Sequence, residues 1–264
     1  MKKKCLKFST SPDPWKSKTK CIIFSQKTVN TSTIRPIELD GKSLPWVSQI
    51  KHLGNILDQA NNFKQDLTIK KGQFIAKVNS ILQEFYYHSY STIVQLINTY
   101  AISFHGSCLW DLYSNDCDRL YKSWNVAMRH VYKVPNTTHK YLIEDLSDTH
   151  HLKTILNSRY IGFCKSLLGS PKYIVRLLGS FNLTDLRTKL GKTKSKILSE
   201  CRLGNLPDSQ LSSRMVKHET KYSNVPTEEK WRIGILKELI NREIFVPGFS
   251  QQEMEDMLQV ICSS

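Results

Sequence analysis

Apolar residues change their spacing once along this chain, after about residue 62, and that change limits the folds open to it. Before it the pattern is short and extended: Cys21–Gln26 is a β-branched run, Asp40 and Gly41 separate two short pieces, and Val47–Asp58 alternates. Asp-Gly is a frequent hairpin turn. After it, apolar residues recur at helical spacing. Strands followed by helices predict an α+β fold, with a small antiparallel β piece of three or four strands and a helical majority.

The helical part contains several segments in close succession. The predicted helices cover 66–87, 93–104, 115–133, 148–168, 171–181, 184–200, 227–245 and 250–262. Pro135 ends the third helix, and Asp148 is a suitable N-cap for the fourth. The stretch 202–226 is polar and rich in turn residues, which predicts a linker. The predicted domains are therefore strands over 1–62, helices over 63–201, the linker over 202–226 and C-terminal helices over 227–264.

The chain is strongly basic, with 38 Lys and Arg against 23 Asp and Glu and a formal net charge of +15. Residues 1–80 hold 15 basic and 5 acidic side chains, whereas residues 226–264 hold 4 and 7. A positive surface attracts polyanions, and nucleic acid is the commonest of these; a role in solubility alone is the alternative. The apolar content of 40% excludes a disordered chain. No apolar run approaches the ~18 residues of a membrane span, so no membrane partner is expected.

Cysteine usage indicates the compartment. The chain has 7 cysteines, scattered singly and without Cys-x-x-Cys spacing. Such free thiols favour an intracellular reducing compartment, nuclear or cytoplasmic. The lysines that follow Met1 precede no apolar stretch, so no secretory signal is expected.

The sequence shows no complete catalytic or metal-binding pattern. Two-metal nucleotidyl transfer uses paired carboxylates, yet no Asp-Asp pair occurs, and Asp111, Asp116 and Asp118 stand where acids complement a helix dipole. Zinc-finger spacing is absent from the nearby candidates Cys108, Cys117, His130 and His139. The run around Gly191 lacks the earlier glycine of a phosphate-binding loop, and Gly191 is expected to interrupt a helix. No metal site is therefore predicted.

Basic residues interleaved with aromatic ones give a better candidate, a nucleic-acid contact. Two sets are proposed to bind phosphates, one near Trp15 and one near Phe74, and their members are Lys16, Lys18, Lys20, Lys70, Lys71 and Lys77. A further set places Lys122, Arg129, His130 and Lys133 among Tyr121, Trp124 and Tyr132. Trp124 has apolar neighbours at helical spacing, which favours a core position over a stacking role.

Several sequence segments, in their order along the chain, resemble segments of one protein family. Leu6–Ser25, with its Lys-Thr-Lys, and Leu39–Asp58, with its His-Leu-Gly, resemble the palm end of non-LTR (LINE-type, jockey-like) retrotransposon reverse transcriptases. The strings FIAKVNSILQEF, INTYAISFHGSCLWDL and WNVAMRHVYKVPNTTHKYLI resemble the thumb and following helices. Together they span residues 6–165 in the family's order. The resemblance implies that the strand piece is the end of a polymerase palm and that the helices are a thumb, a connection-like region and C-terminal helices.

The resemblance also implies roles for individual residues. Lys18 matches the family's motif lysine near the leaving pyrophosphate, with Lys20 in its place if the register differs by two residues. His52, Leu53 and Gly54 match the primer-grip turn. Residues 66–87 match the thumb helix, whose lysines would contact the phosphates of an RNA or DNA template–primer duplex.

The family's catalytic aspartates, which hold its Mg²⁺ ions, belong before Leu6. The resemblance therefore implies an inactive remnant of an RNA-directed DNA polymerase that at most binds template–primer, with no cofactor of its own and no small-molecule cofactor. Two alternatives stay open. The chain is a fragment of a longer, active reverse transcriptase, or it is a host helical nucleic-acid-binding protein without polymerase ancestry.

Overall fold

The computed structural model of the chain contains strands and then helices, which confirms the predicted α+β fold. It divides the chain into two compact units, Met1–Thr68 and Ile69–Ser264. The residues that the structure describes are 19–25, 29–30, 33–39, 41–60, 63–136, 138, 143 and 149–203. Most of the predicted linker and both predicted C-terminal helices lie outside the described residues.

The described residues of the first unit form two antiparallel hairpins. Strands β1 (Glu38–Leu39) and β2 (Lys42–Ser43) pair with Leu39 opposite Lys42. Gly41 has a φ of +70° in the turn between them, as the Asp-Gly signal predicts. Asp40 itself lies outside the described residues.

The second hairpin is longer and joins β3 (Gln49–His52) to β4 (Asn55–Asp58). Its two turn residues, Leu53 and Gly54, have φ angles of +46° and +80°. Two successive residues with positive φ are typical of a type I′ turn, whose twist matches that of the flanking strands. A glycine adopts this conformation without cost, whereas leucine at positive φ is strained.

The predicted strand Cys21–Gln26 is wrong in extent. Cys21 forms one isolated bridge with Trp46, in which its N–H donates to the Pro45 carbonyl over 3.0 Å and its carbonyl accepts from the Val47 N–H over 2.9 Å. Pro45 has no N–H to donate, so the pairing does not extend to the residues before Cys21. After Cys21 the partner changes, since the Ser25 N–H donates to the Gln59 carbonyl over 2.9 Å. Gln26 lies outside the described residues.

Six α-helices are found among the described residues. They are α1 (Lys64–Glu84), α2 (Tyr90–Leu96), α3 (Asn115–Tyr132), α4 (Leu152–Leu168), α5 (Tyr173–Thr184) and α6 (Lys189–Glu200). A π-helical turn, Ile97–Ala101, continues α2, and a 3₁₀ turn covers Ser107–Leu109. Each helix predicted before residue 200 corresponds to a helix in the structure, and the predicted and observed ends differ by a few residues. No helix in the described ranges has the length and apolarity needed to cross a membrane.

Capping groups decide several of these ends. Ser114 begins α3, because its hydroxyl accepts the Cys117 N–H over 3.3 Å, and Lys133 in a left-handed conformation ends it. The predicted cap Asp148 lies outside the described residues. Helix α4 instead begins after His151, whose Nδ1 accepts the Lys153 N–H over 3.1 Å.

A chain of buried aromatic rings lies in the core of the described part of the second unit. Phe74 of α1 stacks on Trp124 of α3 at 5.9 Å between centroids and contacts Phe104 at 6.0 Å, and Phe104 contacts Trp110 at 5.7 Å. All four side chains are buried. Such ring pairs contribute about 0.5–1.5 kcal/mol each beyond their area burial. The core position predicted for Trp124 is confirmed.

Gly191 does not interrupt a helix, contrary to the sequence expectation. It lies in the first turn of α6, where its N–H donates to the Thr188 hydroxyl over 3.0 Å. A Cβ at this position would be 2.4 Å from the Asp185 carbonyl oxygen and 3.1 Å from the Asn182 oxygen. The glycine therefore allows α6 to approach the end of α5 closely.

Candidate nucleic-acid interface

The turn that resembles a primer grip is exposed. His52, Leu53 and Gly54 all face solvent, and Leu53 is 76% exposed at the tip of the β3–β4 hairpin. A large apolar side chain held at the end of a hairpin gains nothing from the protein's own core. The turn is therefore accessible to a ligand along its whole length.

Asp66 holds this hairpin against the first turn of α1, and sequence reasoning missed this role. The Asp66 Oδ1 accepts the Ile56 N–H of β4 over 3.0 Å, and the carboxyl is buried. Its neighbour Leu67 is buried as well. A buried carboxylate is costly without hydrogen bonds, so this contact fixes the hairpin relative to the start of the helix. From the sequence alone, an acid in the first turn of a helix is interpreted as a partner of the helix dipole, so a hydrogen bond to a distant strand is not predicted.

Of the lysines predicted near the N-terminus, Lys16 and Lys18 lie outside the described residues. Lys20 is described and is half-buried, directly before the Cys21 bridge. The structure therefore positions Lys20 next to the residue that pairs with Trp46.

The three lysines of α1 differ in what they can offer a phosphate. Lys70 and Lys71 are half-buried, and Lys77 is exposed. The Lys77 ammonium donates to the Tyr100 carbonyl over 2.9 Å and to the Ser103 hydroxyl over 3.3 Å. It thus satisfies a carbonyl of the π-helical turn, and only part of its hydrogen-bonding capacity remains for a ligand.

The aromatic rings predicted beside these cations are in the core. Phe74 is completely buried. The rings of the α3 set are almost completely buried as well, namely Tyr121, Trp124 and Tyr132. The Tyr121 hydroxyl donates to the Leu112 carbonyl over 3.0 Å, and burial raises its pKa. These rings cannot stack on bases.

Exposed rings instead lie just after α1, next to the lysine that follows α3. Tyr87 is 95% exposed, and its ring contacts that of Tyr86 edge to face at 5.3 Å. The Lys133 ammonium lies 4.4 Å from the centre of the Tyr86 ring and 3.5 Å from its hydroxyl. We call Tyr86, Tyr87 and Lys133 the tyrosine patch. The sequence carried a signal for it, since the Tyr-Tyr pair comes where the apolar spacing of the helix stops.

Some of the positive charge serves the fold and is not available to a ligand. The Arg159 guanidinium donates to the Ile102 carbonyl over 2.9 Å, and that of Arg129 donates to the Thr138 carbonyl over 2.7 Å. Burial lowers the pKa of both arginines. Lys153 pairs with Glu200 over 3.0 Å. The net charge of the sequence therefore overstates the charge that these side chains present to nucleic acid.

The described residues contain no group of three His, Cys, Asp or Glu side chains placed to hold a metal ion. Asp111 accepts the Tyr113 N–H over 3.1 Å, and Asp116 and Asp118 lie in the first turn of α3, where they complement its dipole. The His151 Nε2 contacts the Asn125 side-chain oxygen at 3.0 Å. These polar groups have structural partners.

No protein-family model matches this chain, and neither a curated protein nor a solved structure is significantly similar to it.

Proposed function

We propose that this chain is a remnant of a non-LTR retrotransposon reverse transcriptase and that it binds an RNA or DNA template–primer duplex. The strings that resemble the family follow its order from Leu6 to residue 165. The chain order of an exposed hairpin turn and then a 21-residue helix, Lys64–Glu84, agrees with a primer grip followed by a thumb helix.

The observation that carries the binding proposal is the tyrosine patch. An exposed ring beside a cation offers stacking and a phosphate contact together, and each stacked base contributes about 1–3 kcal/mol. Because stacking needs an unpaired base, we assign Tyr87 to the template strand beyond the duplex. The lysines of α1 and the hairpin turn are assigned to the duplex backbone and the primer end.

These residues are proposed to bind and not to polymerise. Phosphoryl transfer of this kind needs carboxylates that hold Mg²⁺, and the 264 residues include no Asp-Asp pair. Sequencing the genomic locus upstream of Met1 separates the remnant from a fragment of a longer polymerase, because an in-frame Phe/Tyr-Ala-Asp-Asp motif would indicate a piece of an active enzyme. Unrelated DNA there would rule out the longer polymerase at that locus.

The α1 lysines are tested by a salt titration of binding, with fluorescence anisotropy on a labelled RNA–DNA duplex. The triple variant Lys70→Gln/Lys71→Gln/Lys77→Gln should reduce the slope of log K against log salt by about 2, since each phosphate contact contributes about 0.9 and Lys77 is partly engaged. The control triple Lys165→Gln/Lys189→Gln/Lys192→Gln removes the same charge from exposed positions on α4 and α6. Equal slopes for the two triples would refute a specific role for α1.

The tyrosine patch is tested by Tyr87→Ala. We expect affinity for a duplex with a single-stranded template overhang to fall by about 1–3 kcal/mol, or roughly 5- to 150-fold. Affinity for the blunt duplex of the same sequence serves as the matched control and should be unchanged. A loss of equal size on both substrates would contradict stacking on an unpaired base. If the unmodified chain bound neither substrate, the proposed function would be contradicted.

A further inference from the structure

Helix α5 carries most of its large apolar side chains on the exposed side. The side chains form one stripe along the helix and are 53–68% exposed; they are Tyr173, Ile174, Leu177, Leu178 and Phe181. A surface helix normally directs such a stripe to the core. Contiguous exposed apolar surface of this kind marks an interaction site.

The opposite side of α5 is the side that packs. Gly179 and Leu183 are its buried residues, and a Cβ on Gly179 would be 3.0 Å from the Leu167 Cβ of α4. The absence of a side chain at Gly179 lets the two helices approach closely. The apolar stripe is therefore not needed to hold α5 on α4 and is available to another segment.

The charges beside the stripe define what that segment must be. Lys172 and Arg176 are exposed, and the Arg176 guanidinium lies 5.9 Å from the centre of the Tyr173 ring. Helix α5 contains no Asp or Glu. An apolar stripe bordered by cations fits an amphipathic helix that carries acids. A second copy of α5 fits poorly, because a two-fold contact would bring like charges together.

The chain itself contains a segment with this chemistry, at 250–262, outside the described residues. Its acidic residues are Glu253, Glu255 and Asp256, and it has no Lys or Arg. Its apolar residues recur at helical spacing, at Met254, Met257, Leu258 and Ile261. A chain of 46 residues, the number from 204 to 249, can cover about 70 Å even at the helical rise of 1.5 Å per residue, which is enough to reach a neighbouring surface.

We propose that residues 250–262 bind as an amphipathic helix across the exposed stripe of α5, with their acids next to Lys172 and Arg176. This inference is independent of the proposed nucleic-acid binding, because it depends on a different surface. It gives the acidic end of a basic chain a defined position.

Hydrogen exchange of the full chain, followed by mass spectrometry, tests the proposal. We expect backbone protection in 250–262 and, in the variant Leu177→Asp/Leu178→Asp, exchange of that segment faster by about tenfold or more. Both substituted residues are exposed, so α5 should keep its fold, which circular dichroism checks. The control Ile75→Asp/Val126→Asp places the same charges at exposed apolar positions of α1 and α3 and should leave 250–262 protected.

The acidic residues are tested in the same way. Glu253→Gln/Glu255→Gln/Asp256→Asn should weaken protection of 250–262, whereas Glu228→Gln/Glu229→Gln should not. Complete exchange of 250–262 in the unmodified chain would overturn the proposal, as would protection that Leu177→Asp/Leu178→Asp leaves intact. Protection that increases with protein concentration would also overturn it and would assign the stripe to a second copy.

Discussion

Replacing Gly191 by alanine separates two effects that both follow from adding one methyl group to a helical glycine. Alanine is favoured over glycine in a helix by about 1 kcal/mol, and by less in a first turn. Against this, the new Cβ would overlap the Asp185 carbonyl oxygen at 2.4 Å and its carbon at 2.9 Å. These are backbone atoms that cannot rotate away, and overpacking of this kind costs about 1–3 kcal/mol. We expect Gly191→Ala to lower the free energy of unfolding by about 1–2 kcal/mol.

Gly72 provides the matched control. It lies inside α1, and a Cβ there meets nothing within 4 Å. Gly72→Ala therefore gains helix propensity without a clash, and we expect it to raise the free energy of unfolding by up to about 1 kcal/mol. The two substitutions are chemically identical, so changes of opposite sign in the free energy of unfolding would be due to the close approach at Gly191.

Urea unfolding measures both variants, with the fluorescence of the buried Trp110 and Trp124 and the helical circular dichroism as signals. With a slope of about 2 kcal/mol per molar urea, the Gly191→Ala midpoint should fall by about 0.5–1 M. A Gly191→Ala midpoint at or above that of the unmodified chain would refute the packing of α6 against the end of α5.

Four further changes have expected outcomes. Phe74→Ala removes a completely buried ring that stacks on Trp124, so the free energy of unfolding in urea should fall by about 3–5 kcal/mol; an unchanged midpoint would contradict its core position. Leu53→Asn relieves a positive φ at an exposed turn and should slow hydrogen exchange in β3 and β4 about two- to fivefold, whereas faster exchange would argue against the turn. Burial raises the pKa of Cys117 to about 12, so iodoacetamide at mildly alkaline pH should modify this thiol only after unfolding, and a native-state adduct detected by mass spectrometry would refute its burial. Lys18→Ala should leave duplex affinity nearly unchanged, because its proposed role is at the nucleotide; a several-fold loss in anisotropy titrations would contradict that role.

Local signals in the sequence were sufficient for the element order. The hairpin at Gly41 follows from an Asp-Gly pair, and α3 follows from apolar spacing that stops before Pro135. The pattern was less informative for Cys21–Gln26, because an apolar run shows a tendency to extend but not which segment lies opposite it. Cys21 pairs with Trp46, whereas the Ser25 N–H donates to the Gln59 carbonyl, so the described part of this run does not follow one partner strand.

The binding lysines and rings were harder to predict, since composition does not reveal which cations are already engaged. Lys77 was predicted from sequence as a phosphate contact, and its ammonium hydrogen-bonds to the Tyr100 carbonyl. Phe74 and Trp124 stand among basic residues along the chain and stack on each other in the core. Tyr87, which the sequence analysis did not single out, is 95% exposed.

The sequence by itself determined the α+β class, the order of strands and helices, and the basic character of the chain, because these depend on local conformational preference and on formal charge. Tertiary structure alone decided which polar and aromatic groups remain available. Asp66 is bonded to the Ile56 N–H of β4, Gly191 accommodates the Asp185 carbonyl, and the stripe on α5 is left exposed because Gly179 provides the packing side. Each of these depends on contacts between segments separated along the chain, which no local pattern encodes.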